Sequence, residues 1–450
     1  MAAALLAVAS PAAAQRARTI REAYESTANR LIDAALADSA AYHRLAELVD
    51  RFGSRFSGTP ALERAIDWML AEMQKDGLDN VRGEPVMVPR WVRGEESAEL
   101  IQPRRQKLPV LGLGGSIGTP PEGITAPVLV VSSFEELERR AADAKGKIVL
   151  FDVPFTSYGQ AVRYRTEGAV AAARAGAVAS LIRSVASYSM RTLHTGAMRY
   201  DTTGVVPRIP HAAITVEDAA MLHRMHDRGE HVVVRLVMGA TTLPDAPSRN
   251  VIAELRGRER PDEVVVMGGH IDSWDVGQGA MDDGGGVVVA WEALRLMKRL
   301  GLTPRRTVRV VGWTNEENGL RGGLAYRDAH QDEPHVLAIE SDAGVFRPKG
   351  FGFSGSDSAR AIVRQVAALL QRIGTDSIGA SGGGADIGPI VRARNVPAMG
   401  LEVDGARYFW FHHTEADTID KLDPHDMALC VATLAVMAYV VADLEEPLPR

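Results

Sequence analysis

After Pro244 the chain repeats one pattern: a short apolar run rich in β-branched residues, then polar residues capable of chemistry, then a stretch with helical spacing. Runs at 250–255, 263–267, 307–313 and 336–339 predict strands, and 287–300 and 358–373 predict helices. Strands alternating with helices confine the fold to the α/β class, here a mostly parallel twisted sheet flanked by helices. Ligands of open α/β sheets collect at the carboxyl ends of the strands. The residues delivered there agree in type. EVVVMGG runs into His270, Ile271 and Asp272, TVRVVGWTN into Glu316 and Glu317, and HVLAIES into Asp342. A glycine-rich loop after the first of these carries Asp282 and Asp283, and FWFHHTEADT brings His412 and His413 ahead of Asp417.

Imidazoles and carboxylates without thiolates suit a catalytic zinc centre, and the single cysteine, Cys430, can neither close an intrachain disulfide nor build a thiolate site. Two histidines with three or more carboxylates exceed the needs of one tetrahedral ion. They suit two ions that share a bridging carboxylate about 3.5–4 Å apart. Asp272 stands two residues beyond His270, on the same side of an extended segment, where a carboxylate can hold the far ring N–H of a ligand histidine. Taken singly, each element has a structural reading. A lone His-x-Asp is ordinarily a surface turn and a Glu-Glu pair a solvated face, and Gly284, Gly285 and Gly286 lack the lysine and spacing of a phosphate loop. Their joint appearance at successive strand ends is what argues for a site. Trp274 and Trp313 read as packing residues, and His330 and His335 as surface residues near a helix end.

The rest of the chain frames this region. MAAALLAVASPAAAQ reads as a secretory signal, residues 1–14, cleaved before Gln15; its alternative is the alanine-rich start of a cytoplasmic protein. Helices are predicted at 18–37 and 40–52, and a third from Leu62 to Met73, opened by Thr59 and Pro60 and stopped at Gly77. Extended segments follow at 86–92 and 98–101. Residues 102–242 change texture, with Gly and Pro clustered at 112–121, β-branched runs at 128–131 and 148–153 and an alanine-rich helix at 168–184. That stretch carries no cluster of His and acidic residues, so it reads as a separate α/β module without chemistry of its own. The apolar run 427–442, bounded by Asp426 and Asp443, falls short of the roughly 20 residues that span a bilayer and predicts a buried helix holding Cys430 as a small apolar residue. A formal net charge of -6, from 51 basic and 57 acidic residues, offers nothing to nucleic acid or an anionic membrane.

GGHIDSWDVGQGAMDDGGG, WTNEENG, ESDAG and HHTEADT together resemble the metal-site motifs of the co-catalytic zinc exopeptidases related to aminopeptidase and carboxypeptidase Q. SWDVGQGAMDDGGG and the ending YVVAD place the likeness nearest the carboxypeptidase Q group, also called plasma glutamate carboxypeptidase. KGKIVLFDVP and AGAVASLI are similar to the protease-associated domain inserted in many of these peptidases. The resemblance implies a catalytic domain in two parts, 15–101 and 243–450, around an inserted domain at 102–242. It implies two Zn²⁺ per chain, with His270 and Asp342 on one, Glu317 and His413 on the other and Asp282 bridging, and Glu316 as general base. His412 stands where several relatives carry a tyrosine and would donate to the oxyanion, with packing as its other reading. Asn315, Asn318 and the helix start LRGG depart mildly from the family and bear on substrate preference. The implied protein is a secreted or periplasmic exopeptidase acting on short peptides, dipeptides above all. A metal-free receptor or binding ectodomain would show eroded ligands, yet all five are present, and a single-zinc cyclase would not need the bridging aspartate. No membrane span is implied, and the oligomeric state, a homodimer included, stays open.

Overall fold

Three helices open the chain in the computed structural model, which describes residues 18–450; the segment read as a secretory signal lies outside them. Ile20–Leu36 starts on a reciprocal cap, in which Thr19 Oγ1 accepts from Glu22 N at 3.2 Å and Glu22 Oε2 accepts from Thr19 N at 2.8 Å. Ala40–Phe52 follows, and Pro60–Lys75 begins on the Thr59 hydroxyl with proline in its first turn, where the missing N–H costs nothing.

These helices bury Leu31, Ile32, Leu45, Leu48, Ile66 and Met69 in one core with Gly285–Arg299 and Pro424–Asp443. In the last of these every residue from Met427 to Ala442 is buried. It is the one helix among the described residues long and apolar enough to cross a bilayer, and its surface is taken up by protein.

That core covers one face of an eight-stranded sheet ordered Asp79–Val92, Thr241–Leu255, Arg306–Trp313, Arg260–His270, His335–Glu340, Ala398–Val403, Pro348–Ser354, Ser377–Gly379. The central strands Arg306–Trp313, Arg260–His270, His335–Glu340 and Ala398–Val403 run parallel, and antiparallel pairings flank them. Alternation along the strands explains the two layers. Val265 and Met267 face the large core, while Val264 and Val266 face a second one with Tyr326 and Ile390 from the helices Arg321–His330 and Gly388–Arg394 and with Ile387, which precedes the latter. Each such fully buried aliphatic side chain contributes roughly 1.5–3 kcal/mol. Register then positions the chemistry: His270 pairs with Trp313, so those strands end level, and Gly268 pairs with Glu340, so the third strand stops two residues earlier, just ahead of Asp342.

Between Asp79–Val92 and Thr241–Leu255, which pair antiparallel, the chain forms a second eight-stranded sheet with cores of its own. It takes in Glu96–Gln102, paired with Val233–Met238, and so begins ahead of residue 102. The alanine-rich helix expected at 168–184 lies earlier, at Tyr158–Arg174. The chain turns at Gly176, whose φ of 80° ends the helix, and Ala179–Arg183 is a strand of that sheet. Nor are His330 and His335 surface residues: both are buried. Nδ1 of His330 lies 2.9 Å from Glu333 and its Nε2 2.9 Å from Glu84, beside Arg309, while Nε2 of His335 meets the Tyr326 hydroxyl at 2.9 Å.

Candidate active site

The strand Arg260–His270 ends in two glycines for a steric reason. A Cβ on Gly269 would stand 2.1 Å from Asp283 Oδ2, the oxygen that accepts from His270 N at 3.0 Å. Asp283 also accepts from Gly286 N at 3.1 Å, so it fastens the glycine-rich loop to the strand end. Asp417 fastens the same loop from the other side, its two oxygens accepting from Met281 N at 2.7 Å and Asp282 N at 3.1 Å. Arg55, fully buried, donates to the carbonyls of Ile271, Gly53, Gln278 and Gly279 at 2.6–3.0 Å. Nothing in the sequence around Arg55 signals this role, because three of its four partners are main-chain oxygens more than two hundred residues away.

Held in this way, the side chains singled out by sequence converge. Nε2 of His270 lies 3.2 Å from Asp282 and 3.4 Å from Asp342. Nε2 of His413 lies 3.3 Å from Asp282 and 3.0 Å from Glu317. Asp282 therefore stands between the two groups. His412 reaches Asp282 as well, at 3.5 Å, and its ring stacks on that of His413 with centroids 3.5 Å apart. Glu316 sits at the edge, 4.0 Å from His270, with its side chain about one-fifth exposed at 22%.

Asp272 works differently from the sequence expectation. The ring N–H at Nδ1 of His270 donates to its main-chain oxygen at 2.9 Å, while the carboxylate stands 3.7 Å away. That carboxylate accepts instead from Glu316 N at 3.1 Å and Glu317 N at 3.3 Å, ordering the turn that presents both glutamates. Trp274 packs as expected, stacked on Phe56, and its ring also lies 5.5 Å from that of His413.

The electrostatics call for a cation. Burial, and then repulsion from Asp282, push Glu317 up to about 7, and burial raises Asp342. The histidines act against their own burial: Glu317 and Asp282 raise His413 to about 10, and Asp342 and Asp282 raise His270. His412 stays neutral, held well below the usual imidazole value by burial and by the charge of His413. His270 Nε2, Asp282 Oδ2, Glu317 Oε1 and Asp342 Oδ1 are all buried without a hydrogen-bond partner, a costly state for four polar atoms unless a cation meets them. Nitrogen and carboxylate donors of this kind fit zinc. The larger cavities, about 700 Å³ at Arg82, Arg309 and Glu333 and about 800 Å³ at Glu96 and Arg191, lie away from this donor set.

The second sheet borders the site. Tyr158 stacks on Phe409 at 4.8 Å and meets His412 edge-on at 5.3 Å, while Tyr188 packs on Trp410 at 5.0 Å.

Comparison with known proteins points to one family. The model of peptidase family M28 matches residues 250–438. Carboxypeptidase Q of Bos taurus is 53% identical over 416 residues, 92% of this chain and 88% of that protein, and carboxypeptidase Q of Homo sapiens is 52% identical over the same shares. The crystal structure of a peptidase M28 precursor from Shewanella amazonensis superposes with a TM-score of 0.91 at 36% identity, covering 95% of this chain and 98% of that one. The zinc aminopeptidase BSAP from Bacillus subtilis shares the fold, with a TM-score of 0.67 at 22% identity over 90% of this chain and 95% of its own.

Proposed function

Because the chain belongs to peptidase family M28, alongside carboxypeptidase Q, and is a zinc metallopeptidase, we propose that it removes terminal residues from short unblocked peptides, dipeptides above all. Two zinc ions per chain would be held, one by His270 and Asp342 and one by Glu317 and His413, with Asp282 between them. The four bare buried donor atoms are the observation that carries this assignment. Zinc in such a site polarises the scissile carbonyl and lowers the pKa of a water.

The remaining work falls to side chains. Glu316, anchored through its N–H on Asp272 and free of the ligand set, takes the proton of the attacking water and passes it to the leaving amine as the C–N bond breaks. His412, neutral and beside Asp282, donates its ring N–H to the oxyanion. Asp272 positions both His270 and the Glu316–Glu317 turn.

Confinement to short peptides follows from what surrounds this floor. We assign residues 102–242 to an inserted protease-associated domain that roofs the site, a reading supported by the contacts of its Tyr158 and Tyr188 with Phe409 and Trp410, just ahead of His412. A cleft roofed in this way receives a chain end rather than the middle of a protein, and its acidic floor accepts a free α-amino group. Export to the periplasm or the medium, with cleavage before Gln15, completes the reading; N-terminal sequencing of the exported protein tests it. For the activity, acetylating the amino end of a dipeptide should suppress hydrolysis strongly, and casein should yield no internal fragments. Rapid internal cleavage, or indifference to the acetyl group, would contradict the proposal.

A further inference from the structure

His413 is held by a residue from the loop between two strands of the second sheet, Ala179–Arg183 and His211–Ile214. Its backbone sits at φ 60°, a left-handed conformation that side chains with a Cβ avoid, so something must keep it there. Thr195, fully buried, does so at two points: its N–H donates to His413 O at 3.0 Å, and its carbonyl stands 3.3 Å from His413 Nδ1. This two-point clasp aims Nε2 at Asp282 and Glu317. An imidazole that gives Nε2 to a metal must carry its hydrogen on Nδ1, and the Thr195 carbonyl is the acceptor in place for it.

The carbonyl is in turn held by Arg165, whose Nη1 lies 3.4 Å from it and 3.4 Å from Nδ1 itself. Arginine has donors only, so it can share the carbonyl with the Nδ1 hydrogen but cannot take that hydrogen in its place. Arg165 is buried, and its Nη2 donates to the Tyr158 hydroxyl at 3.0 Å. The next residue after Thr195 makes room for it: a Cβ on Gly196 would lie 2.2 Å from Arg165 Nη1. The Thr195 hydroxyl donates to Gly112 O at 2.9 Å and accepts from Arg93, which is paired with Asp275 just beyond the His270 strand. One short loop of the second sheet is therefore tied to two of the ligand-bearing segments, those of His270 and His413.

We infer that this second sheet, for which the sequence reading found no chemistry, completes the metal centre: the Thr195 carbonyl, held by Arg165, orients His413 for zinc, and Arg165 is a positioning residue. The inference rests on the reading of His413 as a ligand, and the test separates the two. Zinc affinity and stoichiometry are measured by chelator competition on the full chain, for the wild type, H413A, R165M and R165K, alongside thermal melting of each metal-free protein. H413A should retain one zinc where the wild type holds about two. R165M should weaken one site by about 10- to 100-fold and leave the other as it was, with metal-free melting unchanged, and R165K should recover part of the loss. If H413A binds zinc as the wild type does, His413 is no ligand. If H413A loses a zinc but R165M keeps both at wild-type affinity, the role of Arg165 is refuted. It is also refuted if both sites weaken together with a fall in metal-free melting, which marks a merely structural residue. Should R165M fail to fold, R165Q is read by the same criteria.

Discussion

Replacing Asp417 by alanine removes a side chain that touches no proposed ligand atom, yet the consequences should reach the metal. Both of its oxygens are taken by buried main-chain donors, Met281 N at 2.7 Å and Asp282 N at 3.1 Å. A hydrogen bond to a charged acceptor is worth about 1.5–3 kcal/mol, so the gross loss is about 3–6 kcal/mol. Part of this returns. Burial and the nearby Asp282 push Asp417 up to about 7, so its charge is itself unfavourable without an ion, and removing it relieves that repulsion. At about 1.4 kcal/mol per pKa unit that relief is about 4 kcal/mol, which leaves a net cost of at most about 2 kcal/mol to the metal-free protein. D417N, which keeps one acceptor, should cost about half as much. Urea unfolding in the presence of chelator, followed through the buried tryptophans Trp274, Trp291 and Trp313, reads the stability directly. Zinc competition on the same samples should show affinity down by about 10- to 100-fold, because Asp282 has lost the donor–acceptor pair that fixes its backbone. Stability within about 0.5 kcal/mol of wild type, together with unchanged zinc affinity, would refute the reasoning that Asp417 sets the position of Asp282.

E316Q should lower kcat by about 10²- to 10⁴-fold with zinc content unchanged; loss of metal in proportion to activity would mean that Glu316 and Glu317 have exchanged roles. The cluster around His330 gives a pH test. Burial alone would lower this imidazole, but its contacts with Glu333 and Glu84 raise it above 6.5. Its stabilising contribution is therefore full below pH 6.5 and lost as pH rises through the raised value. Wild-type melting should fall over that range relative to H330Q, and parallel melting curves for the two proteins would contradict the assignment.

What the sequence could and could not reveal divides along physical lines. The strands ending at His270, Trp313 and Glu340 were legible because each is a compact apolar run, and Pro60–Lys75 because its cap, its period and Gly77 all agree. Residues 168–184 misled because alanine runs through the helix end and into Ala179–Arg183, a strand buried on both faces with no two-residue alternation to show it. The side chains that converge on Asp282 were all named from sequence: strand ends deliver His270, Glu317 and Asp342, while His412 and His413 follow the short helix Tyr408–Phe411. Their supports were legible only in part: Asp272 was named for a different contact, and Arg55 and Thr195 not at all. Arg55 works through main-chain oxygens, Asp272 turns its carboxylate to the Glu316 and Glu317 amides, and Thr195 acts through a carbonyl that any residue possesses. His330 and His335 looked superficial because their partners, Glu84 and Arg309 among them, come from other strands.

Donors from four chain segments gather around Asp282, and we propose that they make one centre for two ions. Titrating zinc into the chelated protein while following both bound metal and dipeptide hydrolysis tests it most directly. Hydrolysis absent from the metal-free protein and reaching its plateau at about two zinc per chain is the expected result. Full activity without metal, or a plateau at a single zinc with no second ion bound, would contradict it.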